Sequence, residues 1–462
     1  MERTPTAAPE DQPKRPSVAS DDTHTFGTRI AGLMPSWARL WARDSALMLF
    51  SQGLTVMATS LAAVLIARSL DPEEWGVFSA LLGLSFALAI FVEFGLSTWL
   101  LRELSSLFVE QGDAAEQRAR DLVSVCVCGA LAVSFVVVSA GTVVTAVLGS
   151  SMSLVVAMSS LLLYGGLFAL ANVLEVYLRA RRRLRRVVTA SIVEKYLLVT
   201  LLIGVAVTST AIWEVGVAYV VAGVVRVAML GVSVFGRTRP TLPRLDDVRV
   251  VWKKSLPFAL TSGAITVIPR FDTLVLVALS ATAAGYFAIG ERILGPAVAL
   301  AVMGATTLYP FLARRTHSVR AIWGLSLTFG ACGAVLATIG FVSAPTLVPL
   351  VFGQQYEDAV PVVQVMLLAL PLLFASNPLL VYGFSCGRER AILVATIGAA
   401  LTGTCAIVAG QLVAGAPGAA AGLFFREVLL LVAVGSIAAT TAQSHIDSSR
   451  PPVSPTVQAP IG

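Results

Sequence analysis

Stretches of about twenty apolar residues recur along the whole chain, parted by short polar turns. Twenty residues at 1.5 Å each cross a hydrocarbon core of about 30 Å, so each stretch predicts a membrane-spanning helix. Six are expected near 46–66, 77–100, 122–148, 152–178, 188–208 and 213–235. Six more are expected near 255–278, 285–307, 322–343, 359–382, 392–414 and 419–440. The polar run "GRTRPTLPRLDDVRVVWKK" lies between the two sets. The fold class is therefore an all-α polytopic membrane protein of about twelve helices in two six-helix lobes. An even number of spans per half makes both halves enter from the same side, so any repeat is parallel, a pseudo-twofold along the membrane normal. The spacing from Ser45 to Gly76 nearly equals that from Ser255 to Gly285, a weak echo of such a repeat.

The ends follow the same logic. Residues 1–28 are rich in Pro, Asp, Thr and Ser and predict disorder, with no apolar core of a signal peptide. "SWARLWARDS" places Trp37, Leu40 and Trp41 on one helical face, as an interfacial helix does. The expected organisation is a tail with this helix over 1–45, lobes over 46–235 and 255–440, a linker over 236–254, and a second disordered tail over 441–462. Lys and Arg set the orientation. With both termini cytoplasmic, the inner loops hold "RARRRLRR" (179–186) and six basic residues of the linker, while the outer loops hold Arg68 alone beside Asp71, Glu73, Glu74, Glu357 and Asp358.

Composition sharpens this picture. The 462 residues are 56% hydrophobic and 13% charged, about half the charge of a soluble domain. The net charge of +6 sits in short loops, which argues against nucleic acid. Five cysteines form no pairing framework and no metal spacing, and the three histidines lie outside the spans, so no metal and no cofactor are expected. There is no P-loop and no long outer loop with paired carboxylates, which excludes most enzyme classes.

The exceptional residues are charges inside the spans, each costing roughly 2.5–3.5 kcal/mol at a helix centre. "TVIPRFDTLVLVAL" (266–279) carries Arg270 and Asp272, which point about 200° apart on a helix and need separate partners. Glu291 and Arg292 in span eight, and Arg426 and Glu427 in span twelve, fall in the same layer, roughly 10 Å below the outer surface. The expected pairs are Arg270 with Glu291, or Asp272 with Arg292, across the short 279–284 turn. In the first half Glu93, Glu194, Lys195 and Arg226 lie near or below the midplane, with Glu175 closer to the inner end and only Glu93 or Glu194 in reach of Arg226. Buried ion pairs can serve orientation alone. Intramembrane charges also mark substrate and ion paths.

The run "LIARSLDPEEWGVFSALLGLSFALAIFVEFGLSTWLLREL" (65–104) resembles the first hairpin of Wzx-type polysaccharide flippases of the multidrug/oligosaccharidyl-lipid/polysaccharide exporter superfamily. The matching positions are Arg68, Leu70, Asp71, Gly76, Phe78, Gly95, Leu96, Arg102 and Glu103. "RFDTLVLVALSATAAGYFAIGERIL", "LYPFLAR", "VFGQQYEDAVPVVQVMLLALP" and "GAPGAAAGLFFREVLLL" continue the resemblance over about 45–440. It implies a non-enzymatic flippase in the bacterial plasma membrane. Undecaprenyl-pyrophosphate-linked oligosaccharide would pass from the inner to the outer leaflet by alternating access, for surface polysaccharide or lipopolysaccharide. It implies Arg270 and Arg292, with Arg226 and Arg68, as pyrophosphate candidates. Asp272, Glu291, Glu93 and Glu194 become candidates for ion or proton coupling. Membrane lipid surrounds such a protein, and a polysaccharide polymerase and glycosyltransferases are the partners the step would have. Two other functions fit the same charges: a cation-coupled small-molecule antiporter, and a non-transporting membrane subunit of a polysaccharide synthesis complex.

Overall fold

The computed structural model describes residues 36–93, 96–108, 113–147, 149, 151–208, 211–236, 251, 255, 271–307 and 319–448. Residues 1–50 form one unit and 51–462 the main body, which carries everything that follows. The described residues are almost wholly helical: α1 Ser36–Ser69, α2 Pro72–Glu93, α3 Leu96–Leu107, α4 Asp113–Val147, α5 Met152–Ala180, α6 Leu184–Thr208 and α7 Ile212–Phe235. Then come α8 Phe271–Leu279, α9 Ala281–Thr307, α10 Val319–Phe352, α11 Val360–Leu367, α12 Leu370–Ser385 and α13 Glu389–Ser448.

Ten helical stretches among the described residues are long and apolar enough to cross a membrane. The last is two spans. Gly415 has φ +65° and breaks α13. A Cβ on Gly410 would meet Gly418, one on Gly422 would meet Ile407, and one on Gly403 would meet Arg426. Contacts that run backwards in this way make 389–413 and 416–448 an antiparallel hairpin held by close backbone approach. With α8 counted beside these, about twelve helices result. Large apolar side chains such as Phe135, Val136, Leu327 and Val342 stand exposed on the periphery, as lipid contact requires.

The second span is helical to Glu93, and Leu96–Leu107 is helical with Leu96, Leu100 and Leu104 packed inward together; residues 94–95 lie outside the described residues. The 441–462 tail begins as helix, to Ser448. The linker lies almost entirely outside the described residues.

The body has two unlike ends. At the acidic end, with Asp71, Glu74 and Asp358, a single apolar cluster joins both halves through Leu70, Trp75, Phe78, Phe287, Val362 and Met366. At the basic end, the first half has its own cluster around Trp99, Val123 and Tyr177, and the second half another around Ile322, Tyr382 and Val434. Among the described residues the halves share a core at one end only.

Candidate functional site

The shared core is tightest where α2 crosses α9. A Cβ on Gly76 would run into the Ala281 carbonyl and the Gly285 amide, and one on Gly285 would run into the Pro72 carbonyl. Only glycine allows this backbone-on-backbone crossing. Around it, Arg68 donates from Nε to the Val351 carbonyl at 2.7 Å and from Nη2 to the Leu350 carbonyl. These are last-turn carbonyls of α10, which have no partner within their own helix and carry the negative end of its dipole. Gln355 donates to the Leu70 carbonyl at 3.3 Å, and the Tyr356 hydroxyl donates to the same oxygen at 3.2 Å. Arg68 therefore ties the acidic end together and does not line the cavity beneath it.

That cavity, of about 460 Å³, lies between the first hairpin and the second half, from Thr59, Ser79 and Phe86 across to Glu291, Arg292 and Arg426. Asp272 is not paired with Arg292 across the short turn between α8 and α9; the other expected pair, Arg270 with Glu291, lies outside the described residues. Asp272 accepts from Arg426 and, at 2.6 Å, from the Thr404 hydroxyl. Arg426 also donates to Glu427 at 3.0 Å, and its stem lies where any side chain on Gly403 would be. Glu291 accepts from the Thr273 hydroxyl at 3.3 Å. Both Asp272 and Glu427 are almost fully buried. The counter-charge to Asp272 thus comes from the last hairpin, not from Arg292 one helix away.

Arg292 remains without a carboxylate within ion-pair distance among the described residues. Its guanidinium lies 5.7 Å from the centre of the Trp75 ring. A cation–π contact of this kind positions the group and leaves its N–H donors available. Arg292 also borders an apolar cleft of about 270 Å³, walled by α1, α9 and α10, so a ligand on it would meet polar space on one side and apolar space on the other. Arg270 lies outside the described residues.

The first-half charges form a different object. Arg226 donates to Glu175 at 2.5 Å and to Glu194 at 3.1 Å, and lies over the Phe168 ring at 5.3 Å. Lys195 donates to Glu194 and to the Tyr164 hydroxyl, which itself donates to Glu194. All four charged residues are buried. Arg226 is thus held by two carboxylates, with Glu175 as the partner that depth alone did not suggest. Glu93 stands apart and accepts from Asn172 at 3.1 Å. Trp75 and Tyr164 carry contacts to the charges. Among the described residues no group of acidic, His and Cys side chains could hold a metal.

A bundle of membrane-spanning helices closed at one end over a charged cavity defines the class of polytopic membrane transporters. The chain belongs to the family described as "Polysaccharide biosynthesis protein", whose sequence model matches residues 41–316. Its fold is similar to that of a multidrug resistance MATE family transporter of the MOP superfamily in an inward-facing conformation (TM-score 0.66, 15% identity, 86% of this chain and 96% of that one). It is also similar to the lipid II flippase MurJ in an inward closed conformation (TM-score 0.63, 13% identity, 85% and 86%). The Vibrio cholerae MATE transporter VcmN, as a mutant, is a third (TM-score 0.57, 15% identity, 90% and 98%). No curated protein matches the sequence. The family and the fold neighbours are transporters and flippases, not enzymes.

Proposed function

We propose that the protein is a flippase for an undecaprenyl-pyrophosphate-linked oligosaccharide, working from the inner to the outer leaflet of the bacterial plasma membrane by alternating access. The acidic end is the outer end and both termini are cytoplasmic, as the positive-inside rule asks. A core shared only at the acidic end then corresponds to the state closed to the outside. The observation that carries the reading is Arg292. It is the described cavity arginine whose charge no carboxylate offsets, and a guanidinium fork suits a phosphate oxyanion. The adjoining apolar cleft would let the lipid chain stay out of water while the head group crosses. Asp272 and Glu291 are the carboxylates nearest to this path and the candidates for coupling.

The test is the lipid-linked glycan pool of a deletion strain, identified by mass and complemented with wild type or Arg292→Ala. Pyrophosphate-linked oligosaccharide should accumulate in the deletion strain and clear with wild type. It should persist with Arg292→Ala at normal protein level. An unchanged pool with intact surface polymer, together with new drug sensitivity, would move the assignment to an antiporter. Full clearance by Arg292→Ala would remove Arg292 from the substrate path.

A further inference from the structure

A second polar hollow lies at the basic end, far along the chain from Arg292. Its volume is about 330 Å³, and it is formed where the starts of α4 and α6 meet the ends of α5 and α7. Four arginines line it (Arg120, Arg181, Arg183 and Arg186) against one carboxylate, Glu116. Glu116 is already committed: it accepts two bonds from Arg181, at 2.8 and 3.0 Å, and one from Arg120 at 2.5 Å. Arg181 is further fixed by the rings of Phe108 and Tyr177, at 5.6 and 5.9 Å. Arg186 donates to the Ser233 carbonyl at 3.3 Å, near the end of α7. Arg183 has no ion pair among the described residues. Among the described residues, the hollow keeps an excess of positive charge after its internal pairs are made.

Two further observations show that this is more than a basic loop on the inner side of a membrane protein. The α5–α6 turn is closed by bonds from the Arg182 amide to the Arg179 carbonyl and from the Arg183 amide to the Leu178 carbonyl. Such a turn needs a left-handed residue, usually glycine, yet Arg182 holds it at φ +55°. A strained turn of this kind tends to persist where it positions side chains for a ligand. It also ends at the start of α6, where the positive end of the helix dipole favours an anion. The opposite wall is the end of α7, from Val232 to Gly236, and Val232 is exposed on the periphery. Cationic donors next to an apolar side chain on the periphery fit an amphiphile whose charged part is a phosphate.

We infer that this hollow binds the phosphate head group of an anionic phospholipid from the leaflet at the basic end. Arg183 and Arg186 supply the phosphate contacts, while Arg120, Arg181 and Glu116 form the frame. The site is separate from the cavity and stands whether or not the flippase reading holds.

The test is native mass spectrometry of the purified full-length protein with phosphatidylglycerol or phosphatidylcholine, alone and with inorganic phosphate. Wild type should retain phosphatidylglycerol adducts in preference to phosphatidylcholine. Arg183→Gln with Arg186→Gln should lower them by about tenfold or more. Arg185→Gln removes a charge from the same turn outside the hollow and should leave them unchanged. Equal loss with Arg185→Gln, or no lipid preference in wild type, would overturn the proposal. Displacement of lipid by millimolar phosphate would mark a soluble-anion site and overturn the lipid assignment. If the double Gln variant fails to insert, Arg183→Lys with Arg186→Lys keeps the loop charge but loses the guanidinium fork. Its adducts should still fall several-fold, and undiminished adducts would overturn the proposal.

Discussion

The two halves of the chain place charges inside the membrane in opposite ways. In the first half, Glu175, Glu194, Lys195, Arg226 and the Tyr164 hydroxyl close on one another, with no member lining the cavity. In the second half, Asp272, Arg426 and Glu427 are linked, but Arg426 borders the cavity, and Arg292 beside it has an aromatic ring where a counter-ion would be. The difference teaches that an intramembrane charge is a poor guide to a site until its partners are known. A compensated network fixes helices. An uncompensated cation in a cavity is available to a ligand.

The largest effect should come from breaking the closed network. Arg226→Met leaves buried Glu175 with Arg179 alone and buried Glu194 with Lys195 alone, and should cost about 3–5 kcal/mol, read as a lower unfolding temperature in detergent. Adding Glu175→Gln and Glu194→Gln should return most of that loss; failure to do so would show that packing over Phe168, not charge, is what Arg226 supplies. On the open side, Arg292→Ala should leave the unfolding temperature in place and lower glycan translocation by about tenfold or more, since a charge-assisted contact to phosphate is lost. A fall in both quantities would make Arg292 structural, like Arg226, and erase the contrast. Gly285→Val should part α2 from α9. In a background without the five native cysteines, Ser79→Cys below the crossing should then label several-fold faster with an impermeant thiol reagent from the acidic side. Unchanged labelling would mean the crossing is not the seal. Smallest is Arg68→Gln, which removes bonds to two carbonyls at an exposed helix end. About 1 kcal/mol of stability should go, with the same labelling rising modestly.

Much of this was readable from the sequence. The apolar stretches marked the helices because length alone decides whether a segment can span a bilayer. The depth argument put Arg270, Asp272, Glu291, Arg292, Arg426 and Glu427 in one layer; Glu291, Arg292 and Arg426 line the cavity, and Asp272 and Glu427 pair with Arg426. The partner of Asp272 was not readable. Nearness in sequence favoured Arg292 for Asp272, whereas the guanidinium arrives from Arg426, across a hairpin whose register depends on glycines at 403, 410, 418 and 422. Glu175 was set aside for its depth, although an arginine side chain is long enough to reach along α5 from α7. The amphipathic character of Leu96–Leu107 was hidden because Leu96, Trp99, Leu100 and Leu104 are as apolar as a span, and only their one-sided packing shows it. Arg68 was legible as a motif but not as a cap, since its acceptors are main-chain carbonyls, which no sequence displays.

The Gly76–Gly285 crossing has a mechanical meaning. Two helices that touch through bare main chain have no knobs to withdraw from holes, so they can roll or part as a bearing does. Resistance to parting then resides in the separate catch made by Arg68, Gln355 and Tyr356. Because pivot and catch are distinct residues, either can be tuned alone: the catch sets how often the outer end opens, and the pivot sets how far it moves.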